Sequence, residues 1–299
     1  MTVQRNGACS LSVMRRKLLV IAGPTAVGKT DYSIETALRC GSPVISCDSR
    51  QIYKEMTIGT AVPDASQLSA VKHYFIHSIS VLDAYSSGQF EIDALALIEK
   101  LFSEGHETLV MAGGSGFYID AVCNGLDNLP VPPPELREEL TRRVREEGVE
   151  SLADELKRLD PAAWKAIDIK NGQRVVRALE TIIVSGRSFT EFKLAEPRKR
   201  DFEIEKICLT RPRDVIYDRI DRRVLQMIDE GLVEEVRGLE KYRDLPALQT
   251  VGYREIFGYL DGNYSLDEAI RLIQRNTRHY AKKQLTWWKR DNDIKWIDL

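Results

Sequence analysis

The sequence predicts an α/β protein: a parallel sheet with flanking helices and an inserted small all-helical domain. Three observations predict it. A short apolar run, LLVIA at 18–22, is stopped by glycine and proline and followed by a helix-like stretch, as in a buried strand feeding a crossover helix. Similar short strands, PVISCD at 43–48 and ETLVMAGG at 107–114, follow, with a helical stretch from about Gln89 to Ser103 between them, a spacing that suits parallel pairing. From Glu135 to about Arg187 the chain turns charged and helix-like, with no strong strand.

Taken in order, the strand at 18–22 passes through GPTAVGKT into a helix over 30–39. DNLPVPPPELREEL then carries four prolines, and Pro132, Pro133 and Pro134 close one unit and open another. FEIEKICL at 202–209 returns the chain to the sheet. Helices are expected over 212–230, 232–241, 249–260 and 265–290, and the closing IKWIDL reads as a terminal strand or a tucked tail. The expected division is a core of 14–125 and 195–299 around a helical insert of 126–194, and no internal repeat is visible.

Composition excludes several classes. A chain of 299 residues with a hydrophobic fraction of 43% has the size of about two domains and can bury a core. Lys plus Arg total 43 against 45 Asp plus Glu, so the molecule is no uniform polycation. The five cysteines (Cys9, Cys40, Cys47, Cys123, Cys208) show no C-x2-C spacing, and with four histidines a zinc finger is not expected. The apolar run from Leu18 is too short for a signal sequence or a membrane span, so the expected location is the cytoplasm.

The strongest motif is GPTAVGKT, comprising Gly23, Pro24, Thr25, Ala26, Val27, Gly28, Lys29 and Thr30. It matches G-x-x-x-x-G-K-[ST] between a strand and a helix. Such a loop turns backbone amides inward around a phosphate, while the helix aims its free amide end at the anion. Lys29 adds a point charge, and the Thr30 hydroxyl can ligate magnesium. The loop implies a di- or triphosphate without naming its owner. No N-K-x-D motif reads guanine, and TLVMAGG lacks the acidic residue that often closes the magnesium-side strand of ATPases.

Asp48 ends the second strand, at the sheet edge where ligands gather. It can ligate magnesium through water, accept a proton from a nucleophile, or simply cap the next turn. Ser49, Arg50 and Gln51 add polar groups in the same turn, and GGSGFY at 113–118 places the Ser115 hydroxyl after the third strand. Residues 271–290 carry Arg271, Arg275, Arg278, Lys282, Lys283, Lys289 and Arg290 with no acidic residue. On a helix 271, 275, 278 and 282 align, which suits a phosphate backbone. Among Arg213, Arg219, Arg222 and Arg223, one facing the phosphate loop would complete a diphosphate clamp, and spacing leaves open which.

Together these segments resemble the bacterial tRNA dimethylallyltransferase (tRNA isopentenyltransferase) family. The resemblance rests on GPTAVGKT, DSRQIYKEMTIGTA at 48–61, KHYFI at 72–76, GGSGFYI at 113–119, NGQRVVRALE at 171–180, VGYREIFGYL at 251–260 and NTRHYAKKQLTWW at 276–288. It implies a P-loop NTPase-like parallel sheet core and a helical insert that grips the anticodon arm. It implies transfer of a dimethylallyl group from dimethylallyl diphosphate to the N6 amine of adenosine 37 in tRNA, with Mg2+ as cofactor and no obligate protein partner. By position, Asp48 is similar to the family's general base, Thr25 to the threonine at the leaving diphosphate, and Arg223 to the diphosphate arginine. Gln51 falls in the base-reading segment. The resemblance extends the RNA contacts to Ser49, Arg50, Ser115, Gln173, Arg174, Arg275, Arg278, Lys282 and Lys283. Two positions depart from many members: Thr57 and Val62 stand where aspartate and lysine are common.

Overall fold

The computed structural model describes residues 16–193 and 196–299. Cys9 and the expected boundary positions 14, 194 and 195 lie outside them. Two compact units emerge: one contains the described residues up to Asn124 together with Lys199–Leu299, the other Gly125–Arg198.

The first unit holds six parallel strands. They are β1 (Lys17–Ala22), β2 (Val44–Ser46), β3 (His73–Tyr74), β4 (Thr108–Ala112), β5 (Glu203–Thr210) and β6 (Lys295–Asp298), in the spatial order β3-β2-β4-β1-β5-β6. Ile21 stands opposite Ala112 on one side and Ile207 on the other, so β1 is central. That position explains its unbroken apolar run, because both faces are covered. Leu18, Val20 and Ala22 pack on one face with Phe90, Ile98 and Trp288, while Ile21 packs on the other with Ala37, Val110 and Leu209.

The helices of this unit up to Asn124 are α1 (Lys29–Cys40), α2 (Ala65–Ala70), α3 (Ser87–Ser103) and α4 (Gly116–Asn124). The second unit contains α5 (Pro134–Glu147), α6 (Val149–Leu159), α7 (Pro161–Ala166), α8 (Gly172–Ser185) and a 3-10 turn, Phe189–Phe192. Its own core includes Leu140, Leu152, Leu156, Val175 and Leu179. Fully buried Glu180 accepts two bonds from Arg137, at 2.7 and 2.9 Å, and one from Arg177 at 3.0 Å. Burial alone would raise this carboxyl, but the two guanidiniums outweigh burial and hold it below its usual value. The first unit resumes with α9 (Arg213–Asp229), α10 (Leu232–Gly238), a 3-10 turn (Glu240–Tyr242), α11 (Tyr253–Leu260) and α12 (Leu266–Trp288).

Several elements differ from the sequence expectation. The second strand stops at Ser46 rather than 48, because Asp48 already caps a turn. The helix expected from 249 starts at Tyr253, where the Glu255 side chain accepts from the Gly252 amide at 2.7 Å and so occupies one of the free donors at the helix start. The closing IKWIDL contributes a strand, β6, parallel to β5. Two-residue β3 and the short α2 left no periodic signal to read. Among the described residues, no helix is long and apolar enough to cross a membrane.

Candidate active site

The carboxyl ends of β1, β2 and β4 lie side by side. The Cys47 amide donates to Ala112 and the Gly113 amide donates to Ile21, at 2.9 and 3.1 Å. These bonds bring the turns at Gly23, Asp48 and Gly113 to one edge of the sheet, where a cleft of about 600 Å³ opens.

The 23–30 loop forms one rim. Gly28 caps α1 at φ 111°, a left-handed conformation that favours glycine. Lys29, Thr30 and Asp31 follow as the first turn of α1, whose amides have no acceptor within the helix. The Lys29 ammonium donates to the Pro24 carbonyl at 2.8 Å. Three side chains from the C-terminal region brace this loop. Arg211 donates to the Val27 carbonyl at 2.9 Å, Arg219 to the Ala26 carbonyl at 2.6 Å, and Gln284 accepts from the Thr25 amide at 2.9 Å. Thr25, Ala26, Gly28, Lys29 and Thr30 line the cleft. Pro24 and Val27 are buried behind them, so they serve the loop through their carbonyls and packing.

The opposite rim is the turn after β2. Asp48 Oδ1 accepts from the amides of Arg50 (2.8 Å) and Gln51 (3.2 Å). Its Oδ2 has no hydrogen-bond partner among the described residues and is left for the cleft it lines. The capping and chemical readings of Asp48 are therefore compatible, one oxygen for each. Ser115 does not line the cleft. Its hydroxyl accepts from the Ser49 amide at 3.0 Å and donates to the Ser49 hydroxyl at 3.2 Å. Gln51 lines the cleft, with its Nε2 donating to the carbonyls of Thr60 (3.1 Å) and Ala61 (2.9 Å).

The electrostatics of the cleft suit an anion. Burial pushes the Lys29 ammonium down from 10.5 to about 8, with Arg223 adding to the shift and Asp48 opposing it. Burial, and next the neighbouring Arg219, also lower Arg223 from its usual value. Arg223 lines the cleft and makes no hydrogen bond or ion pair among the described residues. Two cations in one cleft, one of them with no ion-pair partner among the described residues, form a receptor for added negative charge. Arg222, by contrast, pairs with Asp218. Burial and then Asp48 raise the Cys47 thiol well above 9.0, so Cys47 stays protonated and is no nucleophile at neutral pH.

No group of three or more His, Cys, Asp or Glu is placed to hold a metal among the described residues. The Thr30 hydroxyl and the Asp48 carboxylate do share the cleft. That donor set fits magnesium, which keeps waters and substrate phosphate oxygens as most of its ligands.

The basic helix is less uniform than its sequence. Arg271 pairs with Glu268 and Arg278 pairs with Asp221, while Arg275, Lys282 and Lys283 are exposed. Gln173 and Arg174 are exposed on the first turn of α8 in the second unit. The Thr57 side chain is engaged with His77 at 3.2 Å, whereas Val62 lines the cleft. Sequence reasoning passed over Gln284, Arg211 and Glu235. For Gln284 a signal existed: it is polar on the stripe of Ile273, Ala281 and Trp288 that α12 buries.

The model of the IPP transferase family matches residues 51–291. tRNA dimethylallyltransferase 1 of Bacteroides thetaiotaomicron is 46% identical over 280 residues, covering 94% of this chain and 91% of that relative. tRNA dimethylallyltransferase of Christiangramia forsetii is 46% identical over 286 residues, covering 96% and 94%. The crystal structure of full-length tRNA isopentenylpyrophosphate transferase from Bacillus halodurans superposes with a TM-score of 0.69 at 39% identity, covering 95% of this chain and 90% of that one.

Proposed function

Because the chain belongs to the IPP transferase family, we propose that it transfers a dimethylallyl group from dimethylallyl diphosphate to the N6 amine of adenosine 37 in tRNA and releases diphosphate. The observation that carries this reading is the meeting of Lys29 and Arg223 with Asp48 in one cleft. Cations alone would hold any polyphosphate. A carboxylate oxygen facing them adds a proton acceptor for an attacking amine.

In this mechanism the core is of the P-loop NTPase kind, with the donor's diphosphate on the 23–30 loop. The target adenine leaves its stack and enters the cleft, at a cost of a few kcal/mol. The amine nitrogen forms a bond to C1 of the allyl group as the C1–oxygen bond breaks. Negative charge grows on the leaving diphosphate, against Lys29, Arg223, the Thr25 hydroxyl and the amides opening α1. The Thr25 amide is already committed to Gln284, so this threonine acts through its hydroxyl. The amine proton passes to Asp48. Thr30 would hold magnesium together with phosphate oxygens; the ion supplies counter-charge to the diphosphate. An exocyclic adenine amine is a weak nucleophile, so positioning carries much of the rate.

The Gly125–Arg198 unit takes the anticodon arm in this reading, with Gln173 and Arg174 available on its surface. Exposed Arg275, Lys282 and Lys283 supply phosphate contacts. The test is incubation with unmodified tRNA and labelled dimethylallyl diphosphate, followed by nucleoside analysis. Label on N6 of adenosine 37 is the expected result. Hydrolysis of ATP with unlabelled tRNA would point instead to a small-molecule kinase.

A further inference from the structure

One carboxylate beyond the reacting groups is bonded by a run of the protein's own backbone amides. Glu235, on α10, accepts at Oε2 from the amides of Thr57 (3.0 Å) and Ile58 (2.7 Å), and at Oε1 from the amide of Gly59 (3.0 Å). The Tyr253 hydroxyl, from the first turn of α11, donates a further bond to Oε1 at 2.6 Å. Three successive amides converging on one carboxylate make an anion nest, and each bond gains from the charge of its acceptor. Tyr253 is fully buried. A Cβ at position 59 would stand 2.5 Å from its ring, so glycine there is what lets the ring reach Glu235.

The clamped segment continues into a wall of the cleft, formed by residues 58–63. Within it Ala61 sits at φ 51°, a left-handed conformation that a residue with a side chain keeps only when its surroundings hold it. The wall is also tied inward. Gln51 donates to the carbonyls of Thr60 and Ala61, and its own amide donates to Asp48 Oδ1. A continuous series of bonds thus runs from Tyr253 through Glu235, the 57–61 segment and Gln51 to Asp48. The 23–30 loop is braced by other side chains, Gln284, Arg211 and Arg219. The two rims therefore have separate supports.

We propose that Glu235, locked by Tyr253, is a positioning residue for the acceptor side of the reaction. It fixes the wall at 57–61 and, through Gln51, the place of Asp48 against the incoming adenine. The proposal rests on the transfer reaction assigned above, in which Glu235 touches neither substrate.

The experiment compares Glu235→Gln and Tyr253→Phe with the wild-type full chain. Glutamine puts an NH2 against backbone donors, whereas phenylalanine keeps the ring against Gly59 and removes one bond. Glu235→Gln is expected to lower kcat by about 10- to 100-fold and to raise the KM for tRNA, the scale of a misplaced reacting group. The KM for dimethylallyl diphosphate stays within about twofold, because the donor rim is untouched. Tyr253→Phe moves the same parameters less. Amide hydrogen exchange on the free protein reads the clamp without catalysis: protection at Thr57, Ile58 and Gly59 is lost in Glu235→Gln.

Lost protection with wild-type tRNA kinetics would overturn the proposal. So would donor and tRNA parameters deteriorating equally alongside faster exchange throughout the chain. Should Glu235→Gln fail to fold, wild-type tRNA kinetics in Tyr253→Phe would overturn it. A wild-type chain that protects the three amides but transfers no prenyl group would fault the assigned reaction instead.

Discussion

Gln284 bridges two turns of the cleft: it accepts from the Thr25 amide at 2.9 Å and donates to the Gly114 carbonyl at 2.9 Å. One buried amide on α12 thereby holds the start of the 23–30 loop to the turn after β4. Replacing it with leucine leaves both backbone groups without a partner, at about 1–3 kcal/mol each. Gln284→Leu is expected to lower the melting temperature and raise the KM for the donor. An unchanged donor KM would show that the loop keeps its shape without the bridge.

Asp48 serves the turn with one oxygen and the cleft with the other, so its roles can be separated. Asn at position 48 retains an oxygen for the Arg50 and Gln51 amides but accepts no proton. Asp48→Asn should keep the wild-type melting temperature while kcat falls by about 10²–10⁴-fold, the usual contribution of a general base. A kcat close to wild type would remove Asp48 from the proton transfer.

The depressed Lys29 gives the donor step a pH signature. Lys29 is charged below about 8 and loses its proton as pH rises through that value. For the free enzyme, kcat/KM for the donor should therefore hold on the neutral side of about 8 and fall above it. Lys29→Met should flatten that alkaline limb and lower the plateau. The same shift links to folding: between about 8 and 10.5 the unfolded chain binds more protons at this residue, so its contribution makes stability rise with pH there. A donor profile that stays flat to about pH 10 in the wild type would contradict the role of the charge.

The cations of α12 should divide by their partners. Lys282→Glu with Lys283→Glu is expected to weaken tRNA binding and reduce the slope of log K against log salt by about 0.7–0.9 for each phosphate left without its cation. Arg278→Ala strands Asp221 beside a half-buried helix face, so its main effect is expected in thermal denaturation. Titrations at several salt concentrations distinguish the two classes, and an unchanged slope in the lysine double variant would mark that face as merely solvated.

The parallel α/β architecture was legible in the chain because a strand covered on both faces reads as an unbroken apolar run. The 23–30 loop was legible because its donors are neighbours in sequence. Asp48 was legible as the polar residue ending such a run. The choice among four arginines of α9 was not. Their spacing is similar, and only helix packing places Arg219 and Arg223 on the cleft, the first bonded to the Ala26 carbonyl and the second without a partner among the described residues, while Arg222 pairs with Asp218.

Local sequence thus determined the strands β1, β2, β4 and β5 in outline, the 23–30 loop and the carboxylate beside it, because periodicity, glycine placement and helix starts act over a few residues. Tertiary structure alone decided how those groups are held. Gln284 meets Thr25 across 259 positions of sequence, and Glu235 meets Gly59 across 176. A hydrogen bond closed over such distances leaves no local pattern; it exists only once the helices have packed and their buried polar groups have had to find partners.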